Sequence, residues 1–515
     1  MRDGDAMEPV FSVVVPLYNT PQDLLTEMIG SVQGQTFSDW ELVLVDDASP
    51  DGTTAVRAQA FVEADPRIRL IPLEVNRGIA EATNVGLGLA RGTFIALLDH
   101  DDLLAETALE EVHTAIADGV DVDYVYTDED KIGEDGVHYD TFLKPDWSPE
   151  RLLGQMYTSH LSVFRRSLLD TMRPFDTKYN GSQDHELVLR ITERARSIVH
   201  VPRPLYHWRA VEGSTALSGS EKSYAWDAGV AAVKDTLVRR GIDGKAMRGP
   251  AAGIYYVKRA PIAPRRVSIV IVCTGSERGV ELEPVFRDLQ KTSYGRRSAI
   301  LVVGSTAQLA EAASTLGRRW ARVRPVVVDE DASDIARRNI GILTADTEIV
   351  LAVDGRAHLG DPRVLAELLM PLNESDVALA GGRLLDHRGK TILHAGYRYA
   401  WDLSRHPYRG APKESLGRIG ALISNREVSA VCTAFAAVRR ASFIEVGGFN
   451  GSLDGAAADL DLGAKLRGAG GRIVTVSRAE VSLADLGAAD AEITDVERAL
   501  LVERWGPPGR DPFTA

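Results

Sequence analysis

The chain has 515 residues, 44% of them hydrophobic and 26% charged, with a formal net charge of −14 at pH 7. That length suits two or more domains with cores of their own, and the acidic balance excludes non-specific nucleic-acid binding as the function. No run approaches the roughly 18 apolar residues of a membrane span, the opening Met1-Arg2-Asp3-Gly4-Asp5 has no apolar signal core, and Cys273 and Cys432 show no metal-ligand spacing, so a reducing cytoplasm is the expected compartment.

From the N-terminus, strand and helix patterns alternate. Phe11 to Pro16 is an apolar, β-branched strand, followed by a helical pattern from Gln22 to Gln33. Glu41 to Val45 is the next strand and Thr53 to Ala64 the next helix. Ile68 to Ile71 and Ile79 to Ala90 repeat the unit. Thr93 to Leu98 is the fourth strand, with an amphipathic helix expected from Ala105 to Ala117. Such alternation predicts a parallel, doubly wound α/β sheet, in which ligands bind outside the carboxyl ends of the strands.

Every polar constellation of this region falls at those ends. In order they are Pro16-Leu17-Tyr18-Asn19, then Asp46-Asp47-Ala48-Ser49-Pro50-Asp51-Gly52, then Asn76-Arg77-Gly78, and finally Asp99-His100-Asp101-Asp102. The last group puts three carboxylates within four residues. They repel one another unless water screens them or a hard cation bridges them, and oxygen clusters suit Mg²⁺ or Mn²⁺. Asp102 has an alternative duty as cap of the helix expected near Ala105.

A dinucleotide fold needs a Gly-rich turn after the first strand, and Pro16 and Tyr18 stand there instead. The glycines of Gly86-Leu87-Gly88-Leu89-Ala90-Arg91-Gly92 end a helix rather than begin one, which reads as helix–sheet packing and a C-cap.

The chain also repeats itself. Val267 to Val272 echoes Phe11 to Pro16, Asn84 and Gly86 recur as Asn339 and Gly341, and Asp99 as Asp354. Val163-Phe164-Arg165-Arg166 matches Ala437-Val438-Arg439-Arg440, and Phe175 matches Phe449. Two α/β domains are expected, at residues 8–255 and 265–505. Arg259 to Arg266 reads as a basic, Pro-stiffened linker, and Gly506-Pro507-Pro508-Gly509 as the start of a disordered tail. The copies are unequal: Gly304-Ser305 replaces Asp46-Asp47, Arg356 replaces Asp101 and Ala357 replaces Asp102. A guanidinium cannot ligate a cation, so the second copy is expected to be non-catalytic, with Asp459 standing where Asp184 stands in the first.

These motifs, together with Lys144-Pro145-Asp146-Trp147-Ser148-Pro149, Gly181-Ser182-Gln183-Asp184-His185-Glu186-Leu187 and Leu205-Tyr206-His207-Trp208-Arg209, resemble the family 2 glycosyltransferases. The pair of copies is similar to tandem bacterial enzymes of surface-polysaccharide synthesis that handle rhamnose or galactofuranose. The resemblance implies two tandem GT-A-like domains, the second degenerate, and an inverting, divalent-metal-dependent transfer from a UDP- or dTDP-linked sugar to a glycan or lipid-linked acceptor. It implies a cytoplasmic protein, peripheral at the inner face of the membrane.

Residue by residue, the resemblance assigns Pro16, Tyr18, Asn19, Asp47, Asn76, Gly78 and Asp99 to the nucleotide sugar, with Tyr18 stacking on the base and Asp47 on its edge. Asp101 and His207 would hold Mn²⁺ or Mg²⁺, and Arg209 the phosphate, in a stretch ending at Gly213-Ser214-Thr215 that orders over the diphosphate. Trp147 would stack on an acceptor sugar or simply pack. Asp184 would be the general base; the competing duty is that Ser182 or Asp184 caps its helix. A glycosidase also uses paired carboxylates but has no need of a base cradle, and a sugar-nucleotide pyrophosphorylase would need a Gly-rich basic loop after the first strand. A non-enzymatic nucleotide-sugar-binding or scaffold protein is the remaining alternative.

Overall fold

The computed structural model describes residues 8–50, 52–209, 223–260, 266–273, 282–292, 294, 299–399, 406–486 and 492–513. Two compact units separate: Met1–Trp147 with Leu152–Gly241 and Ala246–Val257, and Ser148–Arg151 with Ile242–Lys245 and Lys258–Ala515.

The first unit begins with the expected alternation: β1 (Phe11–Leu17), α1 (Gln22–Gln33), β2 (Trp40–Asp46), α2 (Thr53–Ala64), β3 (Ile68–Pro72), α3 (Ile79–Leu89) and β4 (Phe94–Leu97). β2 is buried along its whole length and β1 at all but Pro16, as parallel strands covered on both faces require. β1 pairs in parallel with β2 and β4, and β3 lies beyond β2. Val13, Val15, Leu42 and Leu44 pack with Leu25 and Ile29 of α1 in the core.

Beyond β4 the sheet departs from the expected parallel plan. It continues through β5 (Leu103–Leu104), α4 (Ala108–Asp118), β6 (Val122–Ile132), β7 (His138–Phe142), β8 (Ser162–Arg165) and β9 (Ser197–Arg209). The strand order is β3-β2-β1-β4-β8-β6-β9-β5, with β7 on β6. β8 runs antiparallel to both β4 and β6, while β6 and β9 are parallel. A parallel neighbour needs a crossover connection; β6 instead turns back through the β7 hairpin, so half of the sheet is mixed. The helix expected from Ala105 begins at Ala108, because the Ala105 N–H donates to the Leu205 carbonyl at 3.0 Å and is drawn into the β5–β9 edge.

The second unit repeats the plan. Its sheet runs Val323–Val327, Ala299–Gly304, Ser268–Val272, Ile349–Asp354, Phe435–Arg439, Val377–Leu385, Arg472–Ser482 and Arg426–Glu427, with Ile392–His394 on Val377–Leu385. The first seven strands follow the order of the first sheet; the edge differs, since Arg426–Glu427 follows Ile392–His394 in the chain whereas β5 precedes β6. The matched residues keep their contacts as well. Asn84 Nδ2 donates to the Phe175 carbonyl at 2.9 Å and the Phe175 N–H to Asn84 Oδ1 at 2.8 Å. Asn339 and Phe449 make the same two bonds at 3.0 and 2.9 Å. Gly86 and Gly341 serve close helix–sheet approach: an added Cβ would sit 2.6 Å from Val14 Cγ1 in one unit and 2.5 Å from Val270 Cγ1 in the other. The C-cap expected of Gly86–Gly92 is absent, since α3 ends on Ala90 in extended conformation.

Two expectations at the chain's joints are corrected. The tail is packed, not disordered: Asp511 is buried and accepts from the Tyr399 N–H at 2.6 Å and the Ser429 hydroxyl at 2.5 Å. Arg259 is not a solvated linker residue; its buried guanidinium meets Glu150 at 2.6 and 2.9 Å and also Glu374, because a buried arginine is tolerated only when its charge is paired. Residues 261–265 of that linker lie outside the described residues. No described helix is long and apolar enough to cross a membrane.

Candidate functional site

At the carboxyl ends of β1 and β4 the first unit opens a cleft of about 590 Å³, lined among others by Pro16, Gly78, Asp99, His160, Asp184 and Trp208. A cavity of about 100 Å³ beside it shares Asp99, His160 and Asp184. Four of the residues singled out in the sequence, Pro16, Gly78, Asp99 and Asp184, therefore converge here from four separate segments.

Asp184 lies in the first turn of the helix Gln183–Thr192. The preceding Ser182 makes no side-chain cap, because its hydroxyl donates to the Ala225 carbonyl at 2.7 Å. Burial pushes the Asp184 carboxyl up to about 6, and the Asp99 charge adds to the shift while His160 opposes it. An acid so placed is ionised at neutral pH yet basic enough to take a proton. His160 is a cleft residue that the sequence reading passed over. Its ring stacks on Tyr206 with centroids 4.5 Å apart, its N–H donates to Glu129 Oε2 at 3.0 Å, and its carbonyl accepts from Lys144 Nζ.

The rim on the β2 side is a tied set of turns. Asp47, buried, accepts from the Arg77 N–H at 2.7 Å and the Gly78 N–H at 2.8 Å, and its carbonyl accepts from Asn76 Nδ2 at 3.1 Å. Asp46 accepts from the Ser49 hydroxyl at 2.5 Å, and Ser49 Oγ accepts from the Asn19 N–H at 3.0 Å. Asn19 and Gly78 take left-handed backbone (φ 50° and 83°), which glycine adopts at no cost and asparagine more readily than most residues. Asp47 and Asn76 thus shape the rim, while Tyr18, 45% exposed, offers a free ring face.

The Asp99–Asp102 turn is anchored to β9. Tyr206 donates its hydroxyl proton to Asp102 Oδ2 at 2.5 Å and accepts from the Asp99 N–H at 3.3 Å, while the Arg209 N–H donates to Asp102 Oδ1 at 2.7 Å. Asp102 is fully buried on these partners, so the helix-capping duty is ruled out; burial, then Asp99 and Asp101, pushes its carboxyl well up. Asp101 is also raised by burial, with His100 opposing and Asp99 adding. Its carboxylate takes no hydrogen bond from another described side chain, and a turn that crowds Asp101 and Asp102, both raised, beside Asp99 suits a hard divalent cation. Arg209, expected on phosphate, is buried against this turn, with Nε on the Asp101 carbonyl at 2.8 Å and Nη2 on Glu27 at 2.5 Å. Gly213-Ser214-Thr215 lie outside the described residues. Trp147 is half-buried and is not among the residues lining the cleft.

β6 carries three consecutive acids, each with its own partner, which sequence reasoning missed. Asp128 Oδ1 lies 2.9 Å from His200 Nε2 and accepts from the Lys144 N–H at 2.6 Å. Glu129 Oε2 accepts from Lys144 Nζ at 2.9 Å. Asp130 lies 2.6 Å from His207 Nδ1 and 3.1 Å from His138 Nδ1. No described hydrogen bond or ion pair joins His207 to Asp101. The signal was present as Thr127-Asp128-Glu129-Asp130 directly after the largely apolar Tyr124-Val125-Tyr126 of the same buried strand, where unpaired acids would not be tolerated.

In the second unit the matching positions are used up. Arg356 grips Asp354 through Nε at 3.0 Å and Nη2 at 2.8 Å, and reaches Asp485 at 2.9 Å. Ser305 caps the helix Thr306–Leu316 in a reciprocal box with Gln308. Asp459 is buried, accepts from the Thr433 N–H and hydroxyl at 3.2 and 2.6 Å, and is pushed by burial to about 6, with Arg338 opposing.

Comparison with known proteins agrees with this duplication. The "Glycosyl transferase family 2" model matches residues 12–173 and the "Glycosyltransferase like family 2" model residues 264–498. Glycosyltransferase GlyG of Streptococcus pneumoniae is 34% identical over 239 residues, which is 43% of this chain and 77% of GlyG. The chain belongs to glycosyltransferase family 2. It holds two family 2 domains in tandem, both built on the mixed GT-A-type sheet. Uncharacterized protein y4gI of Sinorhizobium fredii is 35% identical over 500 residues, covering 95% of this chain and 55% of y4gI. O-antigen biosynthesis protein RfbC of Myxococcus xanthus is 30% identical over 474 residues, covering 91% and 37%. The chain therefore spans about half or less of the length of those two relatives. Among solved structures, S. aureus TarS 1-349 in complex with UDP-GlcNAc is 22% identical with a TM-score of 0.37, covering 44% of this chain and 66% of TarS.

Proposed function

We propose that the first family 2 domain is an inverting glycosyltransferase that moves a hexosyl, rhamnosyl or galactofuranosyl group from a UDP- or dTDP-linked donor to a glycan or lipid-linked acceptor in surface-polysaccharide synthesis. The observation that carries this reading is the facing of Asp99 and Asp184 across one cleft, with Asp184 raised to about 6. Pro16, Tyr18 and the rim built by Asn19, Asp47, Asn76 and Gly78 receive the nucleotide, and Asp99 the ribose. Asp184 takes the acceptor hydroxyl's proton as that oxygen bonds to the anomeric carbon from the face opposite the departing diphosphate. Asp101 and His207, the latter with Nδ1 2.6 Å from Asp130, would hold a divalent cation that would offset charge on the leaving diphosphate. Family 2 relatives named for O-antigen synthesis support the polysaccharide setting.

The second domain is read as a non-catalytic copy that assists assembly or acceptor binding, because Arg356 already neutralises Asp354. The test is calorimetry and turnover with the full chain across UDP- and dTDP-sugars, with Mn²⁺ or Mg²⁺ and with EDTA. Transfer with metal and none after chelation or in Asp101→Asn is expected. Donor binding indifferent to both would refute the metal assignment, and sugar release from a plain glycoside without nucleotide would refute the transferase reading.

A further inference from the structure

We propose that the turn Gly317–Arg322 and the strand Val323–Val327 of the second unit form a docking surface for an anionic lipid bilayer. That strand is the outer edge of its sheet. The sequence Arg318-Arg319-Trp320-Ala321-Arg322-Val323-Arg324 sets four arginines within seven residues there. Arg318 and Arg322 are exposed, and the Arg324 side chain is 55% exposed. Arg266, also exposed, stands two residues ahead of Ser268, whose strand lies two strands in from the same edge. These strands run parallel, so the arginines gather where the strands begin, at the end away from their carboxyl ends.

The internal repeat shows that the fold does not require this charge. Register aligns the copies: Ser12 pairs with Glu41 and Leu42 with Ile68, as Ser268 pairs with Ala299 and Ile300 with Val323. Arg67 and Arg69 therefore match Arg322 and Arg324, and Glu41 matches Ala299. Counted back from the strand, Glu63 and Asp65 match Arg318 and Trp320. In the first unit the arginines are paired with these acids. Arg67 lays Nε and Nη2 on Asp65 at 3.1 and 2.8 Å, and Arg69 Nη1 meets Glu41 at 3.1 Å. The second unit keeps both arginines and carries Ala299, Arg318 and Trp320 in place of all three acids. Two other acids come near: Glu283 pairs with Arg319, and Asp346, itself 72% exposed, reaches Arg324 at 4.0 Å.

A surface that keeps its cations without the matching acids gains from an anion brought to it. Guanidinium groups take phosphate oxygens through paired N–H donors. Each basic residue close to an anionic leaflet strengthens binding by about 5-fold, the equivalent of ~1 kcal/mol. The chain's net charge of −14 does not forbid this, because at physiological salt charges more than about 8 Å away are screened and the residues nearest the bilayer decide. The layout favours lipid over a glycan chain. Sugar-sized ligands are held in concave sites, whereas here the arginines stand on a turn and an outer strand, and Trp320 packs against the core. Such an edge meets a plane of headgroup phosphates.

The experiment is sedimentation of the full chain with phosphatidylcholine vesicles and with equimolar phosphatidylcholine–phosphatidylglycerol vesicles, at low and at physiological salt. Wild type, Arg318→Glu, Arg324→Gln and the double variant Ala299→Glu/Arg318→Glu are compared, each checked for native melting. All three positions are exposed, and the double variant restores acids that the first unit carries at the same places, so the fold tolerates them. Wild type should bind the phosphatidylglycerol vesicles alone, and more weakly as salt rises. Affinity should fall by at least about 5-fold in each single variant, and further in the double one. Absence of wild-type binding to the anionic vesicles, equal binding to both vesicle types, or wild-type affinity in the double variant would overturn the proposal. Retention on immobilised polygalacturonate without vesicle binding would also overturn it, and would assign the surface to an anionic glycan. Donor binding in the first unit, read by calorimetry, should be unchanged in every variant, which keeps this result separate from the transfer reaction.

Discussion

Asp184→Asn separates catalysis from stability. In the folded chain burial lifts the Asp184 carboxyl from the usual 3.8 to about 6, so the fold prefers this group protonated. Between those two values the folded state holds a proton that the unfolded chain has released, and stability falls as pH rises through that window. At about 1.4 kcal/mol per unit of pH, the wild type carries a penalty of up to about 3 kcal/mol above pH 6. Asparagine has the same shape and no charge, so the variant escapes the penalty. Below about pH 4 both side chains are neutral and the two proteins should melt alike. At pH 8 the variant should melt higher, by up to roughly 6–12 °C for a unit of this size. Transfer should meanwhile fall by about 10²–10⁴-fold, the range for loss of a positioned general base. Wild-type turnover should rise with pH through about 6, as the base ionises. Differential scanning calorimetry at the two pH values, alongside donor turnover, tests both halves. A variant less stable than wild type at pH 8, with turnover intact, would refute the desolvated-base argument outright.

Other outcomes follow from single contacts. Lys144→Met removes the ammonium that Glu129, the Thr158 carbonyl and the His160 carbonyl share, and should cost about 3–5 kcal/mol as a broken buried pair; an unchanged urea midpoint would contradict this. Gly86→Val forces atoms into Val14 and should destabilise the first unit by about 1–3 kcal/mol through overpacking, read by the same titration. Asp459→Asn should leave sugar transfer at its wild-type rate across a donor panel, and loss of any transfer would show that the second unit takes part in the chemistry.

The elements that sequence reasoning placed well share a cause. α1 and α2 came out with their expected bounds, since apolar periodicity with flanking turns is a local signal. The location of the site was legible for a topological reason: polar residues gathered at strand ends must face one edge of such a sheet. What escaped depends on partners far along the chain. Nothing within Asp128-Glu129-Asp130 announces that Lys144, His200 and His207 will be its hydrogen-bond partners. Asp102 looked like a helix cap because Tyr206, more than a hundred residues on, was invisible as its partner. The reversal at β8 was likewise hidden, because a short apolar strand reads the same in either direction.

The amide clasp made by Asn84 on Phe175, and again by Asn339 on Phe449, touches none of the acids that line the cleft. Framework and chemistry are thus written on different side chains. One half of the chain can carry Arg356 and Ser305 where the other carries Asp101 and Asp47, while its skeleton stays under the same constraint. The second half then serves as a built-in reference frame: a contact that recurs in both halves, as the two clasps do, is architecture, and Asp47 and Asp101, which give way to Ser305 and Arg356 in the second half, are candidates for a duty of the first alone. Transplanting Asp47 and Asp101 into the second half would ask how much of the first half's binding a shared scaffold can regain.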